Sequence, residues 1–219
     1  MLHRNLLSME IRTEFGPAVA EFDDVQDPAF LLVLTHGAGG GVASPDLLAA
    51  RQAGLDAGGV VVRVLQPYRV AGARAPGSAA RQDAAWLEVI AAVVRRFPGL
   101  PLVQGGRSNG ARLACRTARA ADAAAVVALA FPVHSPGKAA IPERSRAAEL
   151  RGAGVPVLVV NGDRDPFGVP DAGDADRLVV LAGEAHALSR HPGAITEAVT
   201  SWLREVLREV PRRSGRRGV

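Results

Sequence analysis

The chain has 219 residues, of which 48% are hydrophobic, one cysteine (Cys115) and a formal net charge of +4. The length suits one core of ordinary size, and a lone cysteine excludes an internal disulfide. The charge argues weakly for nucleic acid, because the last nine residues, PRRSGRRGV, hold four arginines and no acid and account for all of it.

Taken in chain order, the opening MLHRNLLSMEIRTEFG is interrupted by Glu10 and Arg12, too early for the apolar run of a signal peptide. Residues 9–25 alternate polar and apolar side chains and predict a hairpin around Gly16-Pro17. AFLLVLTHGAGGG (29–41) reads as a strand buried on both faces that ends in glycines. SPDLLAARQAGLDAGG (44–59) is a helix with a Ser-Pro start and a glycine stop. VVVRVLQPY (60–68) is the next strand and SAARQDAAWLEVIAAVVRRFPG (78–99) a long helix.

PLVQGGRS (101–108) predicts a short strand, and NGARLACRTARAAD (109–122) a helix. AAAVVALAFPV (123–133) is read as a strand reaching Val133, followed by a helix over 145–154. VPVLVVNGDRDPFG (155–168) gives a strand and loop, DRLVVLAGEAH (176–186) a strand, and 194–210 a closing helix. Repeated βα units predict an α/β fold, a mostly parallel, doubly wound sheet with helices on both faces. Residues 1–210 are expected to form one domain, with 211–219 a flexible basic tail.

In such a sheet, chemistry gathers at the carboxyl ends of strands. Ser108 falls there, within the G-x-S-x-G of GRSNG, between a strand and a helix. Glycines on both sides permit a sharp turn that lifts a serine hydroxyl into the open. A serine hydroxyl needs a base, and in this arrangement the acid and then the histidine follow the serine in the chain. Asp165 is the preferred acid, lying in the turn DPFG past a strand end, with Asp163 as second candidate. His186, just past the strand DRLVVLAG, is preferred as base over His191, which opens the last helix. The oxyanion donors would be the backbone N–H of Asn109 and that of Ala38 in THGAGGG, with Gly39 as alternative.

His36 would hold that loop, and with Tyr68 and His134 would border the substrate. Other readings fail on spacing. G-x-G-x-x-G from Gly37 meets Val42, and no G-K-[ST] is present. DRDPFGVPDAGD resembles a calcium loop at Asp163 and Asp165, but Phe167 takes a ligand position. Cys115 reads as a packing residue.

The stretches LTHGAGGGVASP, VVVRVLQPY, QGGRSNGARLA, FPVHSPGK, NGDRDPFG and EAHAL together resemble the α/β-hydrolase superfamily. More narrowly, they are similar to the small hydrolase-like family related to the Tex30 and KANSL3 proteins, distantly like dienelactone hydrolases. That family's turn continues S-M-G-G-R, where this chain has Asn109 and Ala111 in place of Met and Gly. The resemblance implies an α/β-hydrolase fold with Ser108, Asp165 and His186 as nucleophile, acid and base.

The expectation is therefore a cytoplasmic serine hydrolase of a small-molecule ester or thioester, with no cofactor, metal, nucleic acid or membrane partner. A catalytically silent hydrolase-like module that binds a protein partner is the alternative. HSPGKAAIPE, between the strand ending near Val133 and the next helix, is too short for a cap domain. An open site and short acyl groups follow from that. Deleting residues 211–219 should leave thermal stability and ester turnover nearly unchanged; a large fall in melting temperature would contradict it.

Overall fold

The computed structural model describes residues 6–135, 141–208 and 210, so the C-terminal tail and Lys138 lie outside the described residues. The chain order of elements is β1 (Leu6–Thr13), β2 (Gly16–Asp23), β3 (Leu31–Thr35), α1 (Pro45–Asp56), β4 (Val60–Leu65), α2 (Pro67–Val70) and α3 (Ala79–Arg96). Then come β5 (Leu102–Arg107), α4 (Asn109–Thr117), β6 (Ala125–Leu129), α5 (Ala147–Arg151), β7 (Val157–Gly162), β8 (Arg177–Leu181) and α6 (Pro192–Val206). The eight strands form one sheet in the order β1-β2-β4-β3-β5-β6-β7-β8. β1 pairs antiparallel with β2, and β2 antiparallel with β4, while every other pairing is parallel.

The central strands are apolar throughout because both of their faces are covered. Leu31, Val33, Val62, Val126 and Val159 pack on one face with Trp86, Val89 and Val93 of α3 and Leu113 of α4. Their neighbours in sequence, Leu32, Leu34, Val61, Val127 and Val160, pack on the other with Leu47 and Ala50 of α1 and Ile195, Val199 and Trp202 of α6. A strand residue points to alternate faces, so a run without polar breaks needs two apolar layers to bury it. Cys115 belongs to the first layer, and its burial pushes the thiol pKa up to about 12.

Several boundaries differ from the sequence reading for local reasons. The hairpin turns at Glu14-Phe15, with Thr13 opposite Gly16. Gly16 opens β2 at a φ of 105°, and Thr13 Oγ1 accepts the Phe15 N–H at 3.1 Å, closing the turn two residues earlier than Gly16-Pro17. Pro67 and Tyr68 start the short α2 instead of ending β4, since Pro at a first helical position suits α2. β6 stops at Leu129, short of Val133, because Ala130 turns with a φ of 46° and the Phe131 N–H donates to Asn161 Oδ1. α4 ends at Thr117, and the segment beyond it turns at Asp122, where φ is 53°.

Among the described residues no cap domain covers the sheet's carboxyl edge. From Leu129 the chain reaches α5 through one short 3-10 helix, Pro142–Arg144, and five undescribed residues, 136–140, are too few for a lid. Among the described residues no helix is long and apolar enough to cross a membrane.

Candidate active site

β5 lies at the centre of the sheet and delivers Ser108 to its carboxyl edge. Ser108 has φ 54° and ψ −115°, a backbone conformation that L-residues adopt only when their surroundings enforce it. Two hydrogen bonds do so: the Ser108 N–H donates to Leu129 O at 2.8 Å, and the Arg112 N–H donates to Ser108 O at 3.2 Å as α4 begins. The flanking glycines are required by space. A Cβ on Gly106 would lie 2.6 Å from the Gly110 carbonyl carbon, and one on Gly110 would lie 2.7 Å from the carbonyl oxygens of both Thr35 and His36. The start of α4 is thus pressed onto the ends of β3 and β5. Gly110→Ala is expected to cost about 1–3 kcal/mol through overpacking against backbone, lowering the melting temperature by several degrees. An unchanged melting temperature would show that α4 can slide away from β3.

His186 stands over the serine, Nε2 at 2.9 Å from Ser108 Oγ. Its Nδ1 lies 2.8 Å from Asp165 Oδ2. An ionised carboxylate only accepts, so Nδ1 carries the proton and Nε2 is left free to accept the serine hydroxyl proton. Asp165 is itself held: its side chain is fully buried, and Oδ1 accepts the Phe167 N–H at 2.9 Å. The Phe167 ring lies 4.2 Å from the imidazole, centroid to centroid, covering one of its faces. Asp163 does not reach the ring. It is exposed, and its Oδ1 accepts the N–H of Gly183, just past β8, at 2.7 Å. His191 is turned away, 3.2 Å from Glu184, with half of its side chain in solvent.

The loop after β3 abuts the serine, for a Cβ on Gly37 would stand 3.4 Å from Ser108 Cβ. The N–H groups of Ala38, Gly39 and Asn109 have no hydrogen-bond partner among the described residues. Tyr68 donates its hydroxyl to Ala38 O at 2.8 Å, and Arg69 Nε donates to Gly40 O at 3.0 Å, pinning the loop from α2. Burial pushes the Tyr68 pKa up to about 12, so it keeps this proton at neutral pH. Since a trans peptide directs its N–H opposite its carbonyl, Gly39 N–H points away from Tyr68 and Ala38 N–H away from the His36 ring. Both remain available as donors.

His36 is fully buried with both nitrogens engaged, Nε2 accepting the Gln66 N–H at 3.0 Å and Nδ1 donating to Gly37 O at 2.8 Å. Burial lowers its pKa, which keeps it neutral. The expectation that His36 borders the substrate is corrected by this, for no ring atom is left to meet one. His134 is half-buried. It donates from Nδ1 to Ser135 O at 2.9 Å, and its ring end fills the space beside Gly168, in the turn after Asp165.

Sequence reasoning missed three supports. Arg107, just before the serine, places Nε 2.9 Å from the buried Asp46 at the start of α1 and donates from Nη2 to His186 O at 2.9 Å. Burial raises the pKa of Asp46, while Ser44, Arg107 and the Leu47 N–H oppose that shift. Glu184, also buried, accepts the N–H groups of Ser189, Arg190 and His191 and so closes the loop that carries His186. Nothing in local sequence marks these residues, since each acts on a segment distant in the chain or through a loop's closure. An acid two positions before a candidate histidine, as in GEAH, is the one available hint.

The fold has close structural likenesses. Est1E from Butyrivibrio proteoclasticus superposes with a TM-score of 0.73 at 17% identity, over 92% of this chain and 99% of that one. A serine hydrolase without lid from Xanthomonas campestris gives 0.73 at 20% identity, over 94% and 97%. Dienelactone hydrolase from Anabaena variabilis gives 0.70 at 15% identity, over 96% and 100%. At such identities the likeness establishes the fold. A search of curated protein sequences finds no match. Residues 28–182 match the family model described as the alpha/beta hydrolase domain, a span that holds Ser108 and Asp165 and most of the sheet, and the chain belongs to that family.

Proposed function

We propose that the protein is a serine hydrolase that cleaves a small ester or thioester through an acyl-enzyme. The observation that carries this reading is the unbroken chain from Ser108 Oγ to His186 Nε2 at 2.9 Å and from His186 Nδ1 to Asp165 at 2.8 Å. Ser108 Oγ attacks the carbonyl carbon as its proton passes to His186 Nε2. The carbonyl oxygen becomes an anion held by the N–H groups of Asn109 and Ala38, with Gly39 the alternative to Ala38. The bond to the leaving group breaks, and the proton moves from His186 to the departing oxygen or sulfur. Water then repeats the sequence to free the acid, Asp165 orienting and stabilising the imidazolium each time.

A fluorophosphonate reacts only with an activated serine. Labelling at Ser108 supports the enzyme, and a protein that takes no label would instead be a silent binding module. Within the hydrolases, we place the chain beside the family related to Tex30 and KANSL3, with residues 1–210 acting as one domain. An edge without a cap leaves little apolar surface to bury a long acyl chain. Across p-nitrophenyl esters, kcat/KM should be highest for short acyl groups such as acetyl and butyryl and fall toward decanoyl. A steady rise with chain length would contradict the open site.

A further inference from the structure

Arg107 ends β5 one residue before Ser108, and its largely buried side chain lies where three segments meet. The first is the start of α1. Asp46 is fully buried there, and its Oδ1 accepts the Ser44 hydroxyl at 2.5 Å and the Leu47 N–H at 2.9 Å. Oδ2 is left to face Arg107 Nε at 2.9 Å. That contact lacks the direction of a hydrogen bond, so charge alone joins the pair.

The second segment is the loop that carries His186. Arg107 Nη2 donates to His186 O at 2.9 Å, and among the described residues this is the one hydrogen bond of the His186 main chain. The third is the loop after β3. A Cβ on Gly37 would stand 3.0 Å from Arg107 Nη1 and 3.4 Å from Ser108 Cβ, so the guanidinium and the serine abut the same residue. Gly37 leads directly into Ala38, whose N–H the hydrolase reading gives to the oxyanion.

Asp165 and Phe167 hold the His186 ring, but the ring's place over Ser108 depends also on the main chain from which it hangs. That chain follows β8, while Ser108 follows β5, with β6 and β7 between them in the sheet. The bond from Arg107 spans this gap directly. An arginine suits the task because its planar fork aims donors in fixed directions while its charge meets Asp46.

We infer that Arg107 is a positioning residue, one guanidinium that keeps the His186 main chain and the Gly37 loop in register with Ser108. The inference rests on the hydrolase reading above and adds to that site a residue that acts through its neighbours.

Arg107→Lys and the double variant Arg107→Met with Asp46→Asn separate positioning from folding. The lysine keeps a cation for Asp46 but lacks the fork, and the double variant leaves no buried charge unpaired. In each, kcat for p-nitrophenyl acetate should fall about 10- to 100-fold, since a misplacement near 1 Å suffices for that. KM and the melting temperature should stay close to wild type, and fluorophosphonate labelling at Ser108 should slow in parallel with kcat. A purely structural ion pair would not slow labelling in a variant that melts normally. Wild-type kcat in either folded variant overturns the inference. So does a loss confined to KM, which would make Arg107 a substrate contact, and so does the failure of both variants to fold. The wild type separates the two levels. If it neither takes label nor turns over ester, the hydrolase reading falls and this one with it; if it does both, a failed variant test removes only the role of Arg107.

Discussion

Ser108→Ala should lower kcat for ester hydrolysis by about 10⁴-fold or more and leave the melting temperature nearly unchanged. The hydroxyl's hydrogen bond is to His186, a largely buried ring that Asp165 and Phe167 already hold, so its loss removes chemistry and little packing. The backbone at Ser108 is kept in place by bonds from and to its main chain, which alanine retains. Alanine also accepts the positive φ no worse than serine does, because both carry a Cβ. Steady-state turnover on p-nitrophenyl acetate, with thermal melting in parallel, measures both halves of this expectation. A variant that kept wild-type turnover would mean that another group carries the reaction.

Asp165→Asn should be almost as damaging, lowering kcat by roughly 10⁴-fold. An asparagine can turn its amide N–H toward His186 Nδ1, which favours the tautomer with the proton on Nε2. That nitrogen then faces Ser108 as a donor and cannot take its proton. The fold should survive, since the side-chain oxygen of asparagine can still accept the Phe167 N–H that Oδ1 accepts now. Asp163→Asn is the control, because Asp163 serves only the exposed Gly183 turn in this structure. It should change kcat by less than about threefold, as expected for a surface substitution away from the reacting groups. If the Asp163 change were the severe one, the acid would be misassigned.

Much of this protein was legible in its sequence because the signals were local. Runs such as LLVL, VVV and VLVV lack polar residues, which suffices to place central strands between two layers. G-R-S-N-G announced the tight turn, and Ser108, Asp165 and His186 follow the carboxyl ends of β5, β7 and β8 of one sheet. Strand limits were less legible. Ala130 and Gly16 turn through positive φ to satisfy hydrogen bonds from other segments, and composition cannot register that.

The sequence by itself determined the layered α/β fold, the strand–turn–helix at Ser108 and the short list of acids and bases. Only the tertiary structure shows which of them lie against Ser108 and one another. Asp163 and Asp165 are two residues apart on one loop, yet only Asp165 is turned inward, where Phe167 N–H and His186 Nδ1 meet it. His36 was expected to hold its loop and to border the substrate; it is a buried strut that does only the first, because the N–H of Gln66, thirty residues away, occupies its second nitrogen. Arg107 reaches from the turn at Ser108 to Asp46 and to the His186 carbonyl, 79 positions on. Hydrogen-bond partners are chosen by proximity in space and by direction, and for these residues neither is encoded in the local stretch of chain.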